Sequence, residues 1–421
     1  MEKLVIQGGG KLRGEVEISG AKNASLPILA ATLLGEGESL IENVPNLRDI
    51  STMIRLLRSL GVRVTQSNGC VSVKPTNTLV PLAPYKLVST MRASICVLGP
   101  LLGRLHEAEV SLPGGCIIGP RPIDLHLKGL EALGAKITIE HGYVKAKAKQ
   151  LLGRDVYLGG NFGSSVLATA NVLMAAVLAK GQTSIENAAC EPEVEDLANF
   201  LARMGAKIEG AGTHLLRVQG VKKLRGIRYR VIPDRIEAGT YMVGGVITGG
   251  DVTVKNVVPQ HNNALIDKLR AAGAQVSQGK NWVRVRGARK NLQPVDVTTL
   301  PYPGFPTDLQ AQMMALMTVT PGISVITEKI YPDRFMHISE LNRMGSKVFL
   351  EGSSAIVTGV KKLSGAHVMA SDLRASAALV LAGLVAEGRT DIHRIYHLDR
   401  GYEKVEEKLK GLGAKAWREK E

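Results

Sequence analysis

The sequence predicts an α+β protein assembled from six similar units, and three observations carry that prediction. A short phrase recurs about every 70 residues: LGVRV around Gly61, LGAKI around Gly134, MGAKI around Gly205, AGAQV around Gly273, MGSKV around Gly345 and LGAKA around Gly413. Each copy follows a segment with apolar residues on one helical face. In the same phase there recurs a segment that is apolar on nearly every side. Six units over 421 residues divide most simply into two domains of three.

Each element has a local reason. The amphipathic segments show helical spacing: Ile50, Met53, Ile54, Leu57 and Leu60 in one, Val194, Leu197, Phe200, Leu201 and Met204 in another. The glycine of the phrase suits the left-handed position that ends a helix. Alternation then resumes, as in Val62 and Val64 or Ile137 and Ile139, which starts a strand. The apolar segments are Ala24–Leu34, Ala93–Leu102, Val166–Ala179, Ala238–Ile247, Leu309–Val319 and Leu373–Ala386. A helix apolar all round is a buried one.

The start of each buried helix carries polar or charged groups: Lys22 and Asn23; Arg92; Ser164 and Ser165; Asp234 and Glu237; Thr307 and Asp308; Asp372 and Arg374. Capping accounts for Asn, Ser, Thr and Asp there. It does not account for Lys22 or Arg92, because cations are unfavourable at that end. Free amides with Lys and Arg in one region bind anions. A second chemical feature is SLPGGCIIGPRP, Ser111–Pro122. Its glycines and prolines make it a loop, and Cys116 lies five residues before Arg121, whose charge favours the thiolate. The bland alternative, a lone Cys as a small buried hydrophobe, stands beside that reading.

Composition narrows the class. Hydrophobic residues are 45% and charged residues 22%, as in a globular chain with a sizeable core. The net charge of +15 fits either nucleic acid or polyanionic small molecules. Aromatics at 4% argue against stacking on single strands, and the densest basic run, KKLRGIRYR at 222–230, is broken by apolar residues. No nucleic-acid partner is therefore expected. The MEKLVIQGGG start lacks the apolar region of a signal peptide, and Val166–Ala179 is too short to span a bilayer, so no membrane partner is expected. Cys70, Cys96, Cys116 and Cys190 lie far apart, which points to a reduced, cytoplasmic setting without disulfides or zinc. His393 and His397 lack a third ligand, so no metal is expected. There is no Walker loop or GxGxxG run, and no cofactor is expected.

Longer motifs carry a resemblance. SGAKNASLP (19–27), TMRAS (90–94), SLPGGCIIGPRPIDLH (111–126), IENAACEPE (185–193), PDRIEAGT (233–240), FPTDLQAQ (305–312), RFMHISELNRMG (334–345), SDLRASAALVLAG (371–383) and IYHLDRGYE (395–403) span nearly the whole chain. Together they resemble the UDP-N-acetylglucosamine 1-carboxyvinyltransferase family of enolpyruvyl transferases. The resemblance implies two inside-out α/β domains, each of three units with buried helices and outward sheets. It places residues 1–21 with 233–421 in one domain and 22–232 in the other, substrates in a cleft between them and the Cys116 loop as a lid.

The implied reaction moves enolpyruvate from phosphoenolpyruvate to the 3′-hydroxyl of UDP-N-acetylglucosamine. It runs by addition and elimination through a tetrahedral ketal, releases phosphate and opens peptidoglycan synthesis. By the same resemblance Cys116 donates the proton to C3 of phosphoenolpyruvate and Asp308 takes the hydroxyl proton. Lys22, Arg121 and Arg400 surround phosphoenolpyruvate, and Asn23 holds the sugar hydroxyl. Arg92, the stretch Arg121, Pro122, Ile123, Asp124 and Leu125, and the main chain of Ile330 contact the nucleotide sugar. Gly163, Ser164, Ser165 and Val166 contact its diphosphate. Arg48, Asp372 and Arg374 support the site. The thiol at 116 implies alkylation by the family's epoxide inhibitor fosfomycin.

One departure stands out. SSVLAT (164–169) puts Leu167 where the family commonly has glycine, and Gly163 where some members carry Lys. A Cβ at 167 is expected to hinder backbone approach to phosphate. The competing readings are the sister enzyme acting on shikimate 3-phosphate, a basic RNA-binding or RNA-processing protein on the same repeat, and a catalytically weak paralogue.

Overall fold

The structure, a computed structural model, describes residues 2–76, 78–114, 122–160, 163–287 and 289–421. The chain forms two compact units. One, the terminal unit, combines the first 19 residues with Pro233–Glu421. The other, the inserted unit, takes the residues from Gly20 to Ile232. Gly20 and Ala21 thus count with the inserted unit, where the Ala21 N–H donates to the Ile232 carbonyl at 2.8 Å.

Each unit holds three four-stranded sheets, and all six share one pattern. An edge strand runs parallel to its neighbour, and the remaining two neighbours are antiparallel. In the terminal unit Val297–Thr298 is parallel to Ile323–Thr327, which pairs with Ser354–Thr358, and that strand pairs with the outer Lys347–Glu351. A parallel neighbour needs a crossover rather than a hairpin, and between Val297–Thr298 and Ile323–Thr327 the buried helix Gln310–Thr318 supplies it.

Both units close on themselves. In the sixth sheet Lys415–Lys420 is the outer strand, and the third place is taken from the start of the sequence. Glu2–Gln7 fills that place, antiparallel to both Arg389–His393 and Lys415–Lys420. In the inserted unit Arg228–Arg230, late in the segment, is the parallel edge of the sheet begun by Ser39–Glu42.

The apolar helices lie inside as expected. Every residue of Arg235–Ile247 and of Gln310–Thr318 is buried. Their ends differ from the sequence expectation. Arg235–Ile247 starts one turn before Ala238 because the Asp234 carboxylate caps it, accepting from the Ile236 and Glu237 amides at 2.8 and 3.0 Å. The stretch from Ala93 is not α-helical throughout. Arg92–Val97 is a 3-10 turn, and the α-helix proper is Leu98–Leu105. Pro100 lacks an N–H, and its ring would strike the Cys96 carbonyl in an α-helix begun at 93.

The amphipathic helices lie as predicted. The named apolar faces of Arg48–Ser59 and Pro192–Met204 are all buried. All six phrase glycines have positive φ, from +86° at Gly413 to +115° at Gly205. That shared geometry is why the phrase recurs: an L-residue with a Cβ is strained there. Two hydrophobic cores result, one per unit. Cys96 and Cys190 are buried, whereas Cys70 is half-buried on the strand Cys70–Lys74.

Candidate active site

The helix starts gather charged and polar side chains in both units. In the terminal unit Thr307–Leu309 is a 3-10 turn that opens the buried helix Gln310–Thr318. It sets Asp308 between two guanidiniums. Arg334 Nη1 donates to Asp308 Oδ1 at 2.8 Å, and Arg374 Nη2 donates to Oδ2 at 2.9 Å. Burial alone would raise the Asp308 pKa. The charges and hydrogen bonds of Arg374 and Arg334 prevail and hold the carboxyl well below the usual carboxylate range.

The two arginines are themselves fixed. Arg374 is the second residue of Leu373–Val385, and Asp372 caps that helix, accepting from the Arg374 and Ala375 amides at 2.7 and 3.2 Å. Arg374 Nη1 lies 3.4 Å from the Tyr402 hydroxyl. Tyr402 is buried, and its hydroxyl is 2.8 Å from Thr240 Oγ1 and 3.2 Å from Gln312 Nε2. Gln312 Nε2 also donates to the Asp308 carbonyl at 3.0 Å. Residues of three buried helices therefore meet at one phenol. His337, packed near Arg334 and Asp372, is pushed down to about 4, chiefly by burial, and is neutral at pH 7.

Arg400 is half-buried and ends the Leu398–Arg400 turn. A Cβ on the next residue, Gly401, would stand 2.6 Å from the Leu373 side chain, so glycine lets this turn lie on the start of the Arg374 helix. Burial, then the Arg400 charge, lowers the His397 pKa. The Ile330 N–H is donated to Glu328 Oε1 at 2.8 Å. Glu328, fully buried, also accepts from Thr299 and Thr307 at 2.6 and 2.8 Å, and so ties the Ile330 loop to the start of the Asp308 turn.

In the inserted unit Lys22 and Asn23 are the first two residues of Lys22–Ala31. Lys22 is buried, with Nζ 3.3 Å from Asp49 Oδ2. It is Asp49, in the first turn of Arg48–Ser59, that reaches Lys22, while Arg48 is exposed. Pro27 removes the amide that would otherwise reach the Asn23 carbonyl along the helix. Arg92 Nη2 lies 3.4 Å from the Pro122 carbonyl, so two residues assigned to the nucleotide sugar meet. Pro122 and Asp124 are exposed, and Ile123 and Leu125 are half-buried. Gly163–Ser164 pairs with Gly159–Gly160, and Gly163 has φ +90°. Ser165 caps Val166–Ala176 by accepting from the Ala168 amide at 3.3 Å. Leu167, the departure from the family pattern, packs against the unit's core. Cys116 and Arg121 lie outside the described residues.

Sequence reasoning named Asp308, Asp372 and Arg374, and the fold joins them. It did not name Arg334, Asp49, Glu328 or Tyr402. Arg334 and Tyr402 stand inside quoted motifs, RFMHISELNRMG and IYHLDRGYE, but their partners are remote in sequence. Among the described residues no group of His, Cys, Asp and Glu could hold a metal, and no helix is long and apolar enough to cross a membrane.

Known proteins resemble this chain in sequence and in fold. Residues 6–409 match the family described as EPSP synthase (3-phosphoshikimate 1-carboxyvinyltransferase). The chain is 58% identical over 417 residues to UDP-N-acetylglucosamine 1-carboxyvinyltransferase 2 of Carboxydothermus hydrogenoformans, across 99% of both chains. It is 56% identical over 416 residues to UDP-N-acetylglucosamine 1-carboxyvinyltransferase 1 of Caldanaerobacter subterraneus subsp. tengcongensis, again across 99% of both. Among solved structures it is similar to the enolpyruvyl transferase NikO from Streptomyces tendae, with TM-score 0.89, 25% identity, and 99% of this chain and 98% of that one covered. EPSP synthase from Acinetobacter baumannii shares the fold, with TM-score 0.74 and 20% identity over all of both chains.

Proposed function

The chain belongs to the enolpyruvyl transferases and, within them, to the UDP-N-acetylglucosamine 1-carboxyvinyltransferases, and from that membership we propose how its own residues carry the reaction. The chain transfers an enolpyruvyl group from phosphoenolpyruvate to UDP-N-acetylglucosamine, in the service of peptidoglycan synthesis. The shikimate reading fails on identity: 58% to the nucleotide-sugar enzyme against 20% to an EPSP synthase. The RNA-binding reading has only the net charge behind it.

In the proposed course the 3′-hydroxyl oxygen adds to C2 of phosphoenolpyruvate while C3 gains a proton. The tetrahedral ketal then loses a C3 proton and expels phosphate, leaving the enol ether. Cys116 supplies the first proton. Lys22, Arg121 and Arg400 offset the phosphate and carboxylate charge, which grows as phosphate leaves. Asn23, beside Lys22, holds the hydroxyl. Arg92 with Pro122 to Leu125 takes the nucleoside, and Gly163 to Val166 the diphosphate. A glycine at φ +90° supports that last role, because it lets the backbone approach an anion closely. Ile330 meets the nucleotide sugar through its carbonyl, since its N–H already serves Glu328. The reaction is placed in the cytoplasm, in keeping with four widely spaced cysteines and the absence, among the described residues, of a helix long and apolar enough to cross a membrane.

The observation that carries the base assignment is Asp308 held between Arg334 and Arg374. That setting keeps the carboxylate ionised, as a base must be, but makes it a weak base. Proton transfer to it therefore runs late, once the forming C–O bond has acidified the hydroxyl. Asp308→Asn is expected to lower kcat at least about 100-fold with little change in the KM for phosphoenolpyruvate. An unchanged kcat would remove Asp308 from proton transfer.

A further inference from the structure

The structure assigns Tyr402 a part in the reaction as a positioning residue, whose phenol holds in place two side chains that in turn fix Asp308. The inference rests on the reading of Asp308 as the base. Tyr402 is 2% exposed, so it acts through its neighbours and not on a substrate. Its hydroxyl lies among three buried helices. Thr240 comes from Arg235–Ile247, Gln312 from Gln310–Thr318 and Arg374 from Leu373–Val385. A phenylalanine would fill the same space, and a buried hydroxyl is unfavourable unless it is hydrogen-bonded. The role of Tyr402 is therefore to be sought in those bonds.

The protons there have one arrangement. The Thr240 hydroxyl donates to the Ile236 carbonyl at 2.9 Å, so toward Tyr402, 2.8 Å away, Thr240 Oγ1 can only accept. The phenol gives its single proton to Thr240 and keeps its lone pairs for donors. Gln312 Nε2, at 3.2 Å, and Arg374 Nη1, at 3.4 Å, take them. Burial holds the Tyr402 pKa above its ordinary value, so the hydroxyl stays neutral and keeps the proton that orients it.

Both donors have a second hold, and in each case it is on Asp308. Gln312 Nε2 donates to the Asp308 carbonyl at 3.0 Å, and Arg374 Nη2 donates to Asp308 Oδ2 at 2.9 Å. The Gln312 amide cannot be turned over, because its oxygen would then face the Asp308 carbonyl. Its Oε1 has no partner among the described residues, so the contacts of its nitrogen set its orientation. Thr240 Oγ1, itself engaged by the phenol's proton, lies 3.2 Å from that nitrogen. One phenol thus steadies a link to the Asp308 backbone and a link to its carboxylate. Without the hydroxyl, Arg374 keeps Asp308 Oδ2 but loses the contact that stops its guanidinium from turning about it. The guanidinium carbon also lies 5.7 Å from the centre of the Tyr402 ring, a contact that phenylalanine would keep.

Tyr402→Phe, with phosphoenolpyruvate and UDP-N-acetylglucosamine as substrates, is the test. It removes the hydroxyl and leaves the ring, so the turn that carries Arg400 keeps its seat. The kcat is expected to fall at least about fivefold, with both KM values within about twofold of the parent. In an Asp308→Asn background the same change is expected to alter kcat less than about twofold, because its effect passes through that carboxylate. Gln312→Met breaks the other link and keeps the side-chain length. It is expected to lower kcat as Tyr402→Phe does, and it carries the test if Tyr402→Phe does not fold. A kcat within about twofold of the parent, or a fall of the same size in the Asp308→Asn background, would overturn the role. Failure of the base reading would appear separately, as an unchanged kcat in Asp308→Asn alone.

Discussion

Asp308 shows what one residue inherits from its neighbours. Alone it reads as a helix cap, and so do Asn23, Ser165 and Asp372. Of these, Ser165 and Asp372 do cap, while Asp308 instead receives two guanidinium hydrogen bonds. Its low pKa depends on those bonds, and that gives a signed prediction. The folded pKa lies below the ordinary 3.8, so the ionised pair is complete above that value and is lost only as pH falls well below it. Arg334→Gln removes one of the two cations and must raise the Asp308 pKa. The acid limb of the kcat–pH profile is expected to move upward by about one unit, with the KM for phosphoenolpyruvate little changed. A lower kcat with an unmoved limb would mean that Arg334 only supports the fold. Arg334 was not legible as a site residue because its partner lies 26 positions away and no periodicity links them. Asp49 was missed for the converse reason: its neighbour Arg48 has the more conspicuous charge, yet only the carboxylate turns inward to Lys22.

At the scale of elements, the six helix-ending glycines were the most legible feature, because one backbone conformation imposes one residue type on every unit. Gly205 tests this cleanly. Its φ is +115°, and a Cβ there would meet no atom within 4 Å, so the cost of a side chain is conformational only. Gly205→Ala is expected to destabilise the protein by about 1–2 kcal/mol in urea unfolding while leaving KM values unchanged. No loss of stability would mean that the helix end relaxes freely. Helix starts were less legible. Pattern alone placed the second apolar helix at Ala93, whereas Pro100 delays the α-helix to Leu98. Asp234 moves another start one turn earlier than its apolar run. At the SSVLAT departure Leu167 packs on the core, and Gly163 carries the left-handed turn.

For the whole molecule, the repeat count was readable from the residues themselves, whereas the joining of the N-terminal strand to the second half of the chain was readable only through the family resemblance. Nothing in the pattern of MEKLVIQGGG says that it completes the sheet whose later strands start at His367. It pairs there with strands on both sides, and the buried Leu4, Val5 and Ile6 show how fully the terminus is engaged. Ile6→Ala is therefore expected to cost about 2–5 kcal/mol, the range of a central core residue. A cost below about 0.5 kcal/mol would show the strand to be frayed rather than structural. On this account the net charge of +15 suits a protein whose substrates are anionic.

The central claim is enolpyruvyl transfer to the nucleotide sugar by these residues. Its most direct test is phosphate release from phosphoenolpyruvate with either UDP-N-acetylglucosamine or shikimate 3-phosphate as acceptor, in the parent and in Cys116→Ser. The account predicts release with the nucleotide sugar alone, and its loss in Cys116→Ser under turnover. Release with shikimate 3-phosphate alone, or with neither acceptor, would contradict it.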